Sequence, residues 1–446
     1  MNKKFIESSV LFVSVIKWII LASCVGVIVG VSTSIFLKLL GMSIAAAADY
    51  AYYYLAMPFT FLLSVLIVRH LAPAAEGHGT EKVIQAVHEN SGKINLMVVP
   101  VKLAATIITI ASGGSAGKEG PCAQIGAGLA SGLASLMRFD DQDRKKLVIC
   151  GISAGFSTVF GTPIAGAIFG VEVLFIGGLL YEVLLPSFVA GIVGYQVASA
   201  LGVAYFHNEL AFVPTFSSFF FIKVCVAGIF FGLCSLVFIE ILNCLKKLNR
   251  RLRLTMPYKA LIGGTALVLL TLVFSTRYLG LGLETVQEAL QGREVPLESS
   301  FLKMLFTSVT LNFGGSGGIV TPIFFVGATA GNAFGHLPGF DPSIFAAIGL
   351  VSVLAGTANT PIAASILAVE LFGPAIAPYG SVACIISFLI TGHRSVYPSQ
   401  ILSVGKSASI SVSKGKIMGD INDVEFRVRP GSIVEKIVKK LGKSKK

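Results

Sequence analysis

Long apolar runs fill most of the chain between residues 9 and 392, for example residues 9–40, 219–245 and 260–274. The runs are continuous rather than alternating, so they predict helices that cross a bilayer and not the strands of a barrel. They are interrupted at a few glycine-rich points. Gly77-His78-Gly79-Thr80-Glu81 is one; Gly113-Gly114-Ser115-Ala116-Gly117 leading into Lys118-Glu119-Gly120-Pro121 is a second; Gly314-Gly315-Ser316-Gly317-Gly318 leading into Ile319-Val320-Thr321-Pro322 is a third. Glycine and proline there predict short or broken helices, tolerated at membrane depth only where they are buried in protein or line a cavity. A helix that begins at such a break offers free N–H groups and a positive dipole end, an anion site without a fixed cation.

The breaks belong to an internal duplication. Lys102, Thr106, Thr109 and the glycines from Gly113 recur as Lys303, Thr307, Thr310 and the glycines from Gly314, all at an offset of 201 residues that continues through Pro121 with Pro322 and Gly126 with Gly327. Thr162-Pro163-Ile164-Ala165 and Glu172 recur as Thr360-Pro361-Ile362-Ala363 and Glu370 at an offset of 198, so a three-residue indel lies between. Chance likeness of apolar sequence would not keep register through glycines, prolines and polar residues. Repeats of this kind mark transporters and channels, with a site near the midplane between the halves.

Composition agrees: 54% of the 446 residues are hydrophobic and 13% charged, about half the charge of a soluble domain. The first apolar run lacks a small-residue cleavage site and reads as a retained helix. The net charge of +12 is uneven, with 11 Lys or Arg against 4 Asp or Glu in residues 401–446 and a second cluster at Lys246, Lys247, Arg250, Arg251 and Arg253. The positive-inside rule turns both clusters and both termini to the cytoplasm, and a plasma (inner) membrane suits the chain. Anionic lipid is the partner for such charge; no aromatic platform points to nucleic acid. The seven cysteines have no metal or redox spacing, and no cofactor or metal is expected.

Glu119 carries the chemistry. An acid at membrane depth is costly and marks function, and the equivalent position of the second repeat is Val320, so the scaffold does not need one. After the last apolar run, Ser395-Val396-Tyr397-Pro398 supplies a tyrosine whose hydroxyl can donate to an anion while its ring closes a narrow path.

Over residues 10–405 the chain resembles the CLC family of chloride channels and proton-coupled chloride exchangers. Gly117-Lys118-Glu119-Gly120-Pro121 is similar to the family's GxEGP signature, Gly318-Ile319-Val320-Thr321-Pro322 to its GxFxP with Val320 for phenylalanine, and Tyr397 to its pore tyrosine; Gly77-His78-Gly79-Thr80-Glu81 stands where the family has GSGIP, with His78 for serine and Glu81 for proline. The resemblance implies an all-α polytopic fold of two inverted repeats with broken and re-entrant helices, forming a homodimer with one pore per subunit. It divides the chain into an N-terminus (1–8), a first repeat (9–245), a basic linker (246–259), a second repeat (260–400) and a basic tail (401–446), the tail ending in a short amphipathic helix around 435–440 or staying disordered.

By the same resemblance Glu119 is gate and proton acceptor. Gly77, His78, Gly79, Lys118, Gly120, Ile319, Val320 and Tyr397 surround the chloride. The internal glutamate of the family's exchangers falls on Val173, leaving Glu172 or Glu182 for an internal proton path; Glu172 also reads as structural, because it recurs as Glu370. The sequence leaves channel and exchanger both open. Two other readings compete. A fluoride/proton antiporter of the same fold fits the Val-Thr-Pro of residues 320–322, although that branch carries an acid at the position of Ile319. An intramembrane serine hydrolase would use Ser115 or Ser316, each in a G-x-S-x-G pattern.

Overall fold

The computed structural model describes residues 3–205, 217–412, 414–419, 427–428, 430–433 and 435–436. Among them are sixteen α-helices, eight and eight. The first set is α1 (Lys3–Ala48), α2 (Met57–Leu71), α3 (Thr80–Glu89), α4 (Val98–Ala111), α5 (Glu119–Leu136), α6 (Asp141–Phe160), α7 (Pro163–Glu172) and α8 (Tyr181–Ala200). The second is α9 (Ser218–Arg251), α10 (Met256–Val273), α11 (Leu283–Leu290), α12 (Ser299–Asn312), α13 (Val320–Gly335), α14 (Pro342–Ala358), α15 (Pro361–Phe372) and α16 (Ala377–Thr391). Packing follows the same plan in each: α5 lies on α6 and α1 on α8, as α13 lies on α14 and α9 on α16.

Recurring local signals make recurring elements. α6 ends at Gly161 with φ +71°, and Thr162-Pro163 opens α7; α14 ends at Asn359 with φ +58°, and Thr360-Pro361 opens α15. A left-handed residue stops a helix, and a proline at the next first turn has no N–H to leave unpaired. Glycine lets the central helices touch backbone to backbone. A Cβ on Gly126 would lie 2.3 Å from the carbonyl oxygen of Gly151, and one on Gly327 2.4 Å from that of Gly349.

Among the described residues six stretches are long and apolar enough to span a membrane, Glu7–Ala48, Ser218–Arg251 and Pro374–Thr391 among them. The helices beside the breaks are shorter: α3, α4, α7, α11 and α15 have 8 to 14 residues. Within the basic residues 246–259, expected as a linker, residues 252–255 join two helices. α9 runs on to Arg251 and α10 starts at Met256, because Arg250 and Arg251 in the last turn of α9 complement its negative dipole end. A two-stranded parallel pair, Phe175–Ile176 with Ile401–Leu402, ties the start of the tail to the end of α7. The tail helix expected around 435–440 falls largely outside the described residues.

Candidate functional site

The two longest glycine breaks meet at a local two-fold axis. Gly117 and Gly318, equivalent in the repeat, exchange both backbone hydrogen bonds, at 2.7 and 2.6 Å, as an antiparallel bridge. Residues around them are exchanged in kind. Thr310 Oγ1 accepts the N–H of Ser115 and Thr109 Oγ1 that of Ser316, each at 3.0 Å. The Ser115 hydroxyl meets Thr307 at 3.0 Å and the Ser316 hydroxyl meets Thr106 at 3.3 Å. Both serines are therefore engaged by threonines as scaffold, and the hydrolase reading falls away.

α5 begins at Glu119 and α13 at Val320, each two residues beyond this bridge, so both positive N-termini lie beside it. α3 supplies a third N-terminus. Its capping Gly79 has φ +77°, and a Cβ there would lie 2.3 Å from the Gly120 carbonyl oxygen; a Cβ on Gly120 would lie 2.2 Å from that of His78. Only glycine at both positions allows this approach. The loop before α3 is held by Lys102, whose buried Nζ donates to the carbonyls of Ala75 (3.2 Å) and Gly77; Lys303 does the same for Tyr278 (3.1 Å) and Gly280 (2.9 Å) in the other repeat.

Glu119 is the first residue of α5 and is 1% exposed. Its carboxylate reaches over to the N-terminus of α13, where it accepts the Thr321 N–H at 3.0 Å and the Thr321 hydroxyl. Ile319 and Val320 sit at the same first turn, whose amides have no intrahelical acceptor. Lys118 is the N-cap of α5. His78 and Tyr397 face each other with ring centroids 5.7 Å apart. Both His78 Nδ1 and the Tyr397 hydroxyl are shielded from solvent without a hydrogen bond of normal geometry, the hydroxyl facing Thr80. A hydroxyl and an imidazole nitrogen beside helix N-termini can each turn a hydrogen toward an anion.

The Tyr397 segment is pinned from behind. Gln400 Nε2 donates to the carbonyls of Val173 (2.8 Å) and Ala358 (2.9 Å), and Asn359 Nδ2 donates to the Arg394 carbonyl (2.9 Å) and Gln400 Oε1 (3.1 Å). A cavity of about 910 Å³ opens to this region; Gly77, His78 and Glu81 line it together with the basic Lys82, Lys246 and Arg250.

The two candidates for an internal proton path lie elsewhere. Glu172 is consumed by the N–H groups of Ile362 (3.0 Å) and Ala363 (2.8 Å) at the start of α15. Glu182 is largely exposed and pairs with Lys146 at 2.9 Å. The structural reading of Glu172 thus has a concrete form. Thr321, Gln400 and Lys102 went unread as site-building residues. Thr321 stood inside a quoted motif and Lys102 inside the repeat, so both were in view without a partner to give them meaning.

A model of the voltage gated chloride channel family matches residues 60–392, some three-quarters of the chain. The chain belongs to the CLC family. It is 36% identical over 391 residues to a chloride/fluoride channel protein of Pseudomonas syringae pv. tomato, covering 86% of each chain. A CLC-type fluoride/proton antiporter of known structure superposes with a TM-score of 0.83 at 28% identity, over 87% of this chain and 98% of that one. A slow cyanobacterial chloride/proton antiporter shares the fold with a TM-score of 0.75 at 19% identity, over 84% and 94%. This CLC protein is thus a multi-pass membrane transporter with the family's fold of two inverted repeats, and its function is CLC-type transmembrane chloride transport.

Proposed function

We propose that the protein exchanges chloride for protons, with Glu119 as both gate and proton acceptor. One observation carries this reading: the Glu119 carboxylate occupies the N-terminus of α13 and takes the amide of Thr321 at 3.0 Å. A chloride ion needs the same donors. The two negative groups compete, and an anion displaces the carboxylate most readily when protonation has removed its charge. Proton occupancy and anion occupancy are then coupled through one residue.

The neighbouring groups take their roles from position. The amides of Ile319 and Val320, the loop Gly77-His78-Gly79, the first turn at Lys118 and Gly120, and the Tyr397 hydroxyl surround the anion. His78, with an unpartnered Nδ1, supplies the side-chain donor for which relatives use serine; a neutral imidazole protonated at Nδ1 can do so. The positive-inside rule puts the vestibule with Lys82, Lys246 and Arg250 on the cytoplasmic side, together with both termini, in a plasma membrane. Each chain holds a complete path, so a homodimer carries two.

A second cargo, fluoride, is supported by the Pseudomonas syringae relative and the fluoride/proton antiporter structure; the apolar Ile319 supports chloride. Liposomes loaded with a chloride or fluoride gradient, with external anion and lumenal pH followed together, decide among these. Uphill proton movement driven by chloride and lost in Glu119→Gln is the expected result. Anion flux without proton movement means a channel, and coupling to fluoride alone moves the cargo.

A further inference from the structure

Glu81 is a second carboxylate at the site, in the first turn of α3 where relatives have proline. Its two oxygens are treated differently. Oε1 accepts the Ser399 N–H at 3.0 Å and the Ser399 hydroxyl at 2.6 Å. Oε2 is shielded from solvent and has no partner. An ionised oxygen buried without a donor is costly, whereas a protonated one becomes a donor itself. Oε2 is therefore the seat for a proton.

The location is as telling. Glu81 lines the vestibule beside His78, with Lys82 of α3 and Lys246 of α9 acting on it. Glu76, the other acid of that lining, is exposed on the preceding loop. Ser399 follows Tyr397 by two residues, and Tyr397 lies within electrostatic reach of both Glu81 and Glu119. Glu81 is thus tied through Ser399 to the segment that carries Tyr397, and His78, whose ring faces Tyr397, lines the same vestibule. Position 173, where the family's exchangers keep an internal acid, holds a fully buried valine.

We propose that Glu81 takes protons from the vestibule and hands them to Glu119. This rests on the exchange reading above. A hydronium ion in the vestibule protonates Oε2 and leaves as water. The Oε2 proton then passes through a bridging water to the Glu119 carboxylate, and Glu81 returns to its ionised form. Only O–H bonds are made and broken.

The test is reconstitution of the full chain with anion flux and lumenal pH recorded together. Wild type is expected to move protons against their gradient. Glu81→Gln keeps an acceptor for Ser399 but cannot carry a proton; anion flux should stay within about twofold while proton flux falls about tenfold or more. Glu81→Asp should restore measurable proton flux. Ser399→Ala removes one donor to Oε1 and leaves Oε2 untouched, so it should stay coupled. Wild-type stoichiometry in Glu81→Gln overturns the proposal and spares the exchange reading. Equal loss of both fluxes in Glu81→Gln and Ser399→Ala also overturns it, reducing Glu81 to an anchor of the Tyr397 segment. An uncoupled wild type overturns the exchange reading, and this proposal with it.

Discussion

Glu172 and Glu370 are exchanged between the repeats, each capping a helix of the other. Glu172, the last residue of α7, accepts the N–H groups of Ile362 and Ala363 at the start of α15; Glu370 on α15 accepts those of Ile164 (3.0 Å) and Ala165 (2.7 Å) at the start of α7. Each carboxylate takes two orphan donors and sits on a positive helix end. A repeated acid is thus the clasp between halves, and the unrepeated Glu119 is left for chemistry.

Removing either clasp charge should weaken the fold and spare the transport mechanism. Glu172→Gln and Glu370→Gln each trade a charged bidentate acceptor for an amide with one acceptor oxygen, a loss of about 2 kcal/mol. Both variants are expected to unfold at lower temperature in detergent by similar amounts. Proton-to-anion stoichiometry in liposomes should stay at the wild-type value. A changed stoichiometry in Glu172→Gln alone would put that residue back on the proton path.

On the proposed reading of Glu119 as gate, Thr321 sets how firmly it closes. Its hydroxyl and amide both donate to the Glu119 carboxylate. Thr321→Val keeps the amide and the volume and removes the hydroxyl. A hydrogen bond to a charged group is worth about 1.5–3 kcal/mol, and one pH unit about 1.4 kcal/mol. That bond favours the ionised gate, so without it the gate protonates at higher pH. Under the proposed mechanism transport rises as the gate protonates, so its pH profile should be displaced by about one unit to the alkaline side. Glu119→Gln should remove the pH dependence altogether. A Thr321→Val profile equal to wild type would mean that the hydroxyl does not hold the gate.

Much of this fold was legible because its signals are local. Thr162-Pro163 and Thr360-Pro361 are matching marks of the repeat, and the structure places a helix stop and a helix start at each. Glu119 was legible by contrast with Val320. What stayed hidden are pairings across long sequence separations. Thr321 with Glu119 and Glu172 with Ala363 are 202 and 191 residues apart, and no periodicity joins them. Glu81 was visible only as a departure from a motif; its partner Ser399, 318 residues on, gives the departure a meaning. The basic stretch 246–259 does not show in the sequence where its helices end, because charge marks the membrane edge and a helix can run past that edge.

Gly79 and Gly120 should tolerate nothing larger. A Cβ on Gly79 meets the carbonyl oxygen of Gly120 at 2.3 Å and its carbonyl carbon at 2.5 Å, so α3 and α5 would have to separate. These contacts are to backbone, which cannot turn aside as a side chain can. Gly79→Ala also places a side chain at φ +77°, a conformation that costs about 1–2 kcal/mol in itself. Gly79→Ala is expected to lose anion flux at least about tenfold even where it yields monodisperse protein, since a misplacement of 1 Å costs that much or more. Gly202, at φ +79° with open space around it, is the control. Gly202→Ala carries the backbone cost without the collision and should transport normally.

The vestibule charges act at a distance, and ionic strength exposes this. Lys246 and Arg250 are exposed, line the cavity of about 910 Å³, and form no ion pair among the described residues. Its lining sets Arg69, Lys82, Lys246 and Arg250 against Glu76 and Glu81, and an excess of one sign raises the local concentration of the opposite ion. Lys246→Gln with Arg250→Gln should therefore raise the half-saturating chloride concentration on the vestibule side by several-fold at low salt. The Arg250→Gln change alone should leave turnover at saturating chloride unchanged, whereas Lys246 also acts on Glu81 and its loss can alter proton delivery. With an inert salt at about 1 M the Debye length falls to about 3 Å, and the difference from wild type should vanish. A defect that persists at high salt would mean that these side chains bind the ion directly. In that case the vestibule would contain an anion site of its own, outside the helix N-termini.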